Sequence, residues 1–474
     1  MTASIRRLAG ALAALFFLVS LGVGWWQIVA ADELSRDAYN PRLIEAAARR
    51  SRGQIVDRDG LVLAKSEPRG DGFRRSYAGA LYEPFLGYAT LAFGAAGIEA
   101  SYGESLIGED PGDPLAAIRH RYLGERTPPG SVLLALSSRL QQAAANALGG
   151  RRGAVIALDP RTGEILASVS SPRYDPNPLT DAAQQRAAFG ALHDDQDRPL
   201  VDRAAQGLYP PGSTFKLVTG AAAVELGLDP NRRIRVDSPW RADPSWGSYA
   251  VRSPTNAHRD FDLREAFMYS ENIYFAMAAV NLGGERLADY AGRFMIGRPL
   301  NLDGPYSRTR LSNSGRLDRP TLVADTGFGQ GELLVSPLQM ALIASAIANG
   351  GVMPTPHYAL EVRDAAGVVI RRLLPGPLAT PIRPDTARLI TTDLVAAVDG
   401  PGAFAYGAAI PGVHVAGKTG TAEHPGGAPH GWFVGFAPAE QPTIAVAVVI
   451  EDAQRGGEDA APIGGAVMLA WLGK

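Results

Sequence analysis

The 474-residue chain contains no cysteine and only four lysines: Lys65, Lys216, Lys418 and Lys474. The absence of cysteine excludes disulfides, thiolate metal sites and a thiol nucleophile together, and it suits an exported chain. The scarcity of lysine is not a scarcity of positive charge, because Lys and Arg total 46 and the other 42 are arginines. Arginine stays protonated in proteins, whereas a desolvated lysine can give up its proton. Each internal lysine therefore marks a place to look for chemistry that arginine cannot supply. The net charge of -2 lacks the basic excess of a nucleic-acid binder, and there is no acidic tail. No internal repeat is present, and the length calls for two or three domains.

Charge is also missing from Leu8 to Ala30. That run can cross a bilayer core of roughly 30 Å as one helix. Arg6 and Arg7 precede it and place the N-terminus in the cytoplasm, while Trp25 and Trp26 sit where the far interface would lie. Val29-Ala30-Ala31 is an acceptable cleavage site, so a removed signal peptide is the competing reading. The run is long for a signal peptide, and a retained anchor is the expectation. In either case the body of the chain lies outside the cytoplasm.

In that body, Arg52 to Gly60 reads as a strand followed by a tight turn at Asp59-Gly60. Residues 109–130, rich in Gly, Pro and charge, read as a linker, and Ser137 to Leu148 as a helix closed by Gly149-Gly150. Ala154–Leu158 and Glu164–Val169 predict a hairpin around Asp159-Pro160-Arg161-Thr162-Gly163. Helical stretches follow at 213–226, 262–281 and 335–349. Strands are expected at Gly431–Phe436 and Thr443–Ile450, then a C-terminal helix from about Ala461. Strands, helices and strands in that order give an α+β fold with the first and last strands in one antiparallel sheet.

Three short patterns can carry chemistry. In Tyr209-Pro210-Pro211-Gly212-Ser213-Thr214-Phe215-Lys216, the ordinary role of a serine at a helix start is an N-cap. Lys216, three residues on, also shares its face, and a partly desolvated lysine can act as the base that a serine nucleophile requires. Ser270-Glu271-Asn272 reads either as a polar interruption of a surface helix or as a loop presenting a hydroxyl and an amide to a cleft. Lys418-Thr419-Gly420-Thr421 can hold an anionic group such as a substrate carboxylate, with Gly417 and Gly420 permitting close approach.

Several patterns lead elsewhere and are set aside. Gly412 to Thr419 formally matches the phosphate-binding loop, but Val413-His414-Val415 looks like strand and no helix can follow through Gly420 to Gly427. Gly327-Phe328-Gly329-Gln330-Gly331 lacks the context of a dinucleotide site and more plainly lets a loop pack beside a cleft. His414, His424 and His430 have the right type for metal ligands but not a fixed spacing, and read as turn or cleft-rim residues. The chain thus calls for no metal and no cofactor.

Ser213/Lys216, Ser270/Asn272 and Lys418/Thr419/Gly420 occur in the order of the triple found in penicillin-binding proteins and serine β-lactamases. Two of the four lysines fall inside it. Beyond the triple, the chain resembles the class B penicillin-binding proteins, of a compact actinobacterial type. The resemblance runs through Arg52-Gly53 to Ala64, Gly97-Ile98-Glu99 with Tyr102, Val155 to Pro178, Gly329-Gln330-Gly331 and Ser336-Pro337-Leu338-Gln339-Met340. The non-catalytic region is short for the class, and no acidic glycosyltransferase motif is present.

The resemblance implies a cytoplasmic tail at 1–7, an anchor at 8–30, and a small irregular β-rich pedestal with linker at 31–135. It implies a serine β-lactamase-like transpeptidase domain at 136–474, an antiparallel sheet sandwiched by helices. It further implies a serine D-Ala-D-Ala transpeptidase that cross-links peptidoglycan stem peptides and is acylated by β-lactam antibiotics. Ser213 would be the nucleophile, Lys216 the base, Ser270 and Lys418 the proton relay. Asn272, Thr419, Gly420 and Thr421 would bind substrate, with the backbone N–H groups of Ser213 and Thr421 as the oxyanion hole. A membrane glycosyltransferase of the SEDS type is implied as a partner. A D,D-carboxypeptidase, or a non-catalytic penicillin-binding sensor or scaffold, remains the alternative. A class A β-lactamase is disfavoured because Gly297-Arg298-Pro299-Leu300-Asn301 has glycine where that class carries its glutamate.

Overall fold

The computed structural model describes residues 2–25, 50–109, 127–453 and 455–473. Most of the expected linker, Trp26 and the Val29-Ala30-Ala31 sequence lie outside the described residues. Two compact units are distinguished. One holds the apolar helix α1 (Thr2–Gly24) and a hairpin tip at 67–74; the other holds 52–66 and the chain from Arg75 onward. From Ile5 to Gly24, α1 is long and apolar enough to cross a bilayer.

A six-stranded mixed sheet uses β1 (Ile55–Val56), β2 (Val62–Arg69), β3 (Gly72–Tyr77), β4 (Ser131–Leu134), β9 (Ala359–Arg363) and β10 (Val369–Arg372) in the order β10-β9-β4-β1-β2-β3. β1 runs parallel to β4, and the late strand β9 is antiparallel to β4. The expected turn after β1 forms, with Asp57 Oδ1 accepting from the N–H of Asp59 (3.0 Å) and Leu61 (2.8 Å). Arg52, Arg75 and Glu99, far apart in sequence, meet here in a buried ion cluster, Glu99 lying 2.9 Å from Arg52 and 2.5 Å from Arg75. A buried carboxylate needs such pairing to remain charged.

The second sheet has five antiparallel strands: β5 (Gly153–Leu158), β6 (Ile165–Ser171), β11 (Ala416–Ala422), β12 (His430–Ala437) and β13 (Ile444–Ile450). Their order is β11-β12-β13-β5-β6, so the predicted first hairpin joins the last strands directly. The strands are buried on both faces, which is why they read as nearly continuous apolar runs. Val155, Leu166, Phe433, Val446 and Val448 pack with α2 (Ser138–Leu148) and α9 (Gly457–Leu472). Ala154, Ile156, Trp432, Val434 and Val449 point the other way, against α7 (Pro337–Ala348). This is the period-two alternation of a strand serving two cores.

Three expected boundaries change. The stretch 262–281 is two helices, α4 (Leu263–Met268) and α5 (Asn272–Leu282). Val413 makes only an isolated bridge to Ile410, and the strand begins at Ala416. The last helix starts at Gly457, where a Cβ would lie 2.5 Å from Cβ of Thr419; this glycine is required by close packing and breaks nothing.

Candidate active site

Ser213 lies on a short 3-10 turn, Gly212–Phe215, that leads into α3 (Lys216–Glu225). It makes no side-chain cap bond, so the N-cap reading does not hold. Three residues complete one turn of 3-10 helix, which puts Lys216 under Ser213. The turn is held on every side. Tyr209 pairs through its backbone with Val335 (2.9 Å each way), and its hydroxyl donates to Glu451 (2.7 Å). Trp432 Nε1 donates to Pro210 O (2.9 Å), and Gly212 N donates to Gly329 O (2.9 Å). Gly212 (φ 54°) and Gly329 (φ 85°) both sit in the left-handed region, and a Cβ on Gly329 would lie 1.8 Å from Gly212 O. The glycine-rich 327–331 segment thus packs against the serine turn.

The Ser270-Glu271-Asn272 segment is the break between α4 and α5. Ser270 takes φ 53°, which ends α4. Glu271 then starts α5 by accepting from Ile273 N (3.0 Å). Its other oxygen accepts from Ser253 Oγ (2.6 Å), so this fully buried carboxylate is doubly bonded.

Lys418 to Thr421 lie inside β11, in register with Val434 to Gly431 of β12. A lysine within a strand cannot belong to a loop entering a helix, which disposes of the phosphate-loop match. A Cβ on Gly420 would meet Pro211 O and Thr214 Cγ2, each at 3.0 Å. What approaches this glycine is the serine turn itself.

Together these three segments surround one amine. Lys216 Nζ lies 2.9 Å from Ser213 Oγ, 3.2 Å from Ser270 Oγ, 2.7 Å from Ser270 O and 2.7 Å from Asn272 Oδ1. Asn272 Nδ2 donates to Arg252 O (3.1 Å), which fixes the amide so that its oxygen faces the amine. The carbonyl of Ser270 and the amide oxygen of Asn272 can only accept. They take the two hydrogens of a neutral amine and leave its lone pair for a hydroxyl. Burial pushes the Lys216 pKa well below its ordinary value, the nearby Lys418 charge pushes the same way, and Glu271 opposes both. Burial also brings Lys418 down to about 7. Lys418 Nζ donates to Thr419 O (3.0 Å).

Above the two lysines opens a cleft of about 730 Å³ lined by Ser213, Ser270, Asn272, Thr419, Gly420 and Thr421, among others. Lys216 and Lys418 lie beneath its floor, 0% and 1% exposed. All eight residues singled out from the sequence therefore belong to one locality. Sequence reasoning missed Glu271, whose position inside the triplet was its only signal. It also missed Arg252 and the Glu451–Arg203 pair (2.8 Å) behind Tyr209.

The three histidines do not form one group. His414 pairs with Glu440 (3.1 Å), apart from the others. His424 stacks on His430 at 4.1 Å, and its Nε2 lies 2.9 Å from both Ala428 O and Asp452 Oδ1. His424, His430 and Asp452 have the type and proximity to hold a metal ion; their mutual bonds brace the β11–β12 hairpin.

Residues 153–469 match the penicillin binding protein transpeptidase domain, and residues 52–132 the penicillin binding protein A dimerisation domain. The chain is 34% identical to the peptidoglycan D,D-transpeptidase PbpA of Mycolicibacterium smegmatis, over 100% of this chain and 99% of that one. PbpA of Mycobacterium tuberculosis gives the same identity and coverage. The solved imipenem acyl-enzyme of penicillin-binding protein A from M. tuberculosis superposes with TM-score 0.80 at 32% identity, covering 90% of this chain and 99% of that one. Penicillin-binding protein 2 of Pseudomonas aeruginosa gives 0.77 at 29%, covering 90% and 96%. With a family match over most of its length and relatives aligned end to end, the chain belongs to the class B penicillin-binding proteins, the serine transpeptidase family.

Proposed function

We propose that the protein is a peptidoglycan D,D-transpeptidase in which Ser213 is the nucleophile and Lys216 its base. The observation that carries this reading is the buried amine of Lys216, 2.9 Å from Ser213 Oγ with its hydrogens claimed by two obligate acceptors. Ser213 Oγ attacks the carbonyl of the penultimate D-Ala while its proton passes to Lys216. The backbone N–H groups of Ser213 and Thr421 receive the oxyanion, worth about 3 kcal/mol per donor in comparable sites. Ser270, aided by Lys418, hands the proton to the departing D-Ala nitrogen, and the C–N bond breaks to leave the acyl-enzyme. Asn272 holds the peptide backbone; Thr419, Gly420 and Thr421 hold the terminal carboxylate. An amine from a neighbouring stem then takes the acyl group and restores Ser213. A β-lactam enters the same path and stays on the serine.

In this reading residues 1–7 are cytoplasmic, 8–30 are a retained single-pass anchor, 31–135 a pedestal with linker, and 136–474 the extracytoplasmic transpeptidase domain. The chain carries no glycosyltransferase motif of its own. The family resemblance implies a partner for strand polymerisation, a membrane glycosyltransferase of the SEDS type.

Detergent-solubilised protein and Ser213→Ala, treated with fluorescent penicillin and run on a denaturing gel, test the reading. A stable label lost in Ser213→Ala is expected, together with transfer of a pentapeptide acyl group to an added amine by mass spectrometry. Transfer to water alone would make the protein a carboxypeptidase, and a folded protein that takes no label and turns over no drug would be a non-catalytic scaffold.

A further inference from the structure

Arg252 is one of five charged residues that line the cleft, with Asp325, Glu423, Arg455 and Glu458. It lies on the segment between β7 (Ile234–Asp237) and β8 (His258–Phe261), which is tightly built. Val251 pairs with Trp240 through both backbone bonds (2.9 Å each). Trp246 packs between Trp240 and Tyr249, at 5.3 and 5.5 Å. Ser253 donates to the buried Glu271, and the carbonyl of Arg252 itself accepts from Asn272. The Arg252 backbone is thereby clamped beside the site from both neighbours.

Its side chain is exposed on the cleft wall, and among the described residues the guanidinium makes no hydrogen bond or ion pair. The other arginine on the cleft wall, Arg455, is already paired with Asp459 (3.1 Å). Asp325, also on the wall, is engaged by the Tyr249 hydroxyl. A guanidinium without a counterion, carried on a firmly held backbone, is available to a carboxylate, which it can grip through two parallel bonds. In the proposed mechanism the terminal carboxylate sits at Thr419 and Thr421, whereas Arg252, whose carbonyl accepts from Asn272, lies on the side of the peptide upstream of the scissile bond.

Resting on the transpeptidase reading, we infer that Arg252 binds a second carboxylate on the donor stem peptide, upstream of the D-Ala-D-Ala end. It thereby selects donors carrying a free acid there over donors carrying an amide.

The test compares two penicillins that differ by one carboxylate on the acyl side chain, benzylpenicillin and α-carboxybenzylpenicillin. Their second-order acylation rates are measured on full-length wild type, Arg252→Gln and Arg252→Lys. The ratio of carboxylated to plain drug should fall about five-fold in Arg252→Gln, the size expected for an exposed charge-assisted bond. Arg252→Lys should recover part of it, and the wild-type ratio should fall at high salt, where exposed charges are screened. An unchanged ratio in Arg252→Gln overturns the inference. So does an equal fall for both drugs, which would mark a merely structural residue. If neither drug acylates folded wild type, the transpeptidase reading itself fails, a result distinct from either. Donor pentapeptides amidated at the second or third residue then identify the carboxylate, and Arg252→Gln should erase discrimination in one pair only; discrimination kept in both overturns the inference.

Discussion

Asn272 Oδ1 lies 2.7 Å from Lys216 Nζ, and the amide nitrogen of Asn272 is turned away to Arg252 O. The amide thus presents a dipole but no charge to the buried amine. Replacing Asn272 with Asp would set a carboxylate in the same place. An opposite charge at that distance favours the protonated amine, so the Lys216 pKa rises and less free base is present at neutral pH. Acylation of Asn272→Asp by penicillin should slow at pH 7 and recover at higher pH. Its rising limb should lie at least about one unit above that of wild type. A pH–rate profile of acylation measures this, and coincident profiles would count against Lys216 as the base.

Glu271 is a buried carboxylate that acts on the same amine in the same sense. Glu271→Gln keeps the side chain's shape and removes the charge; its amide oxygen can still accept from Ile273 N, while its NH2 can only donate, so Ser253 Oγ must turn to accept from it. The Lys216 pKa then falls further, and the acylation limb should move to lower pH, opposite to Asn272→Asp. Glu271→Ala also loses the cap on Ile273 and leaves Ser253 without its acceptor. Loss of the cap alone should lower stability by about 1 kcal/mol, read as a fall in Tm.

The Ser213/Lys216 and Lys418–Thr421 elements were legible because their members are neighbours in sequence and local geometry brings them together. The two-core sheet was legible because strands covered on both faces read as apolar runs. The break between α4 and α5 was only half legible: residues 262–281 are helix-compatible on both sides, and Ser270-Glu271-Asn272 read equally as a polar interruption of one helix or as a loop. It arises from the left-handed turn at Ser270 and from the cap by Glu271, whose second oxygen is satisfied by Ser253, 18 residues earlier in the chain. Gly327 to Gly331 read as a loop packed beside a cleft, and it is one; that Gly329 packs on Gly212, 117 residues away, has no signal in the local sequence. Gly420 was rightly read as a point of close approach, but that the approaching group is the serine turn about 200 residues away leaves no local pattern.

Gly329 is a sharp test of that long-range packing. A Cβ there would lie 1.8 Å from Gly212 O, and φ of 85° is unfavourable for any residue with a side chain. Gly329→Ala must push the 212–215 turn away from Lys216. Because acylation depends on placing Ser213 Oγ to within fractions of an ångström, the rate should fall about 100-fold. Near-UV circular dichroism tells displacement from unfolding. A folded Gly329→Ala with wild-type acylation would show that the turn is positioned by other contacts.

Lys418 connects the site to stability. Its pKa is brought from an ordinary 10.5 down to about 7 by burial alone, so the protonated form is penalised in the folded protein. Below pH 7 the lysine is charged in both states and the penalty is fully present. Between pH 7 and 10.5 the folded form releases its proton while the unfolded chain keeps it, and each pH unit relieves about 1.4 kcal/mol. Stability from this group therefore rises with pH. Lys418→Met removes the penalty and should be stabilised most at pH 6, by an amount that shrinks steadily toward pH 10. Chemical denaturation of wild type and Lys418→Met across that range measures the difference. A difference independent of pH would mean that the Lys418 amine is not depressed in the folded protein. It would also remove the physical ground for Lys418 sharing in proton transfer at neutral pH.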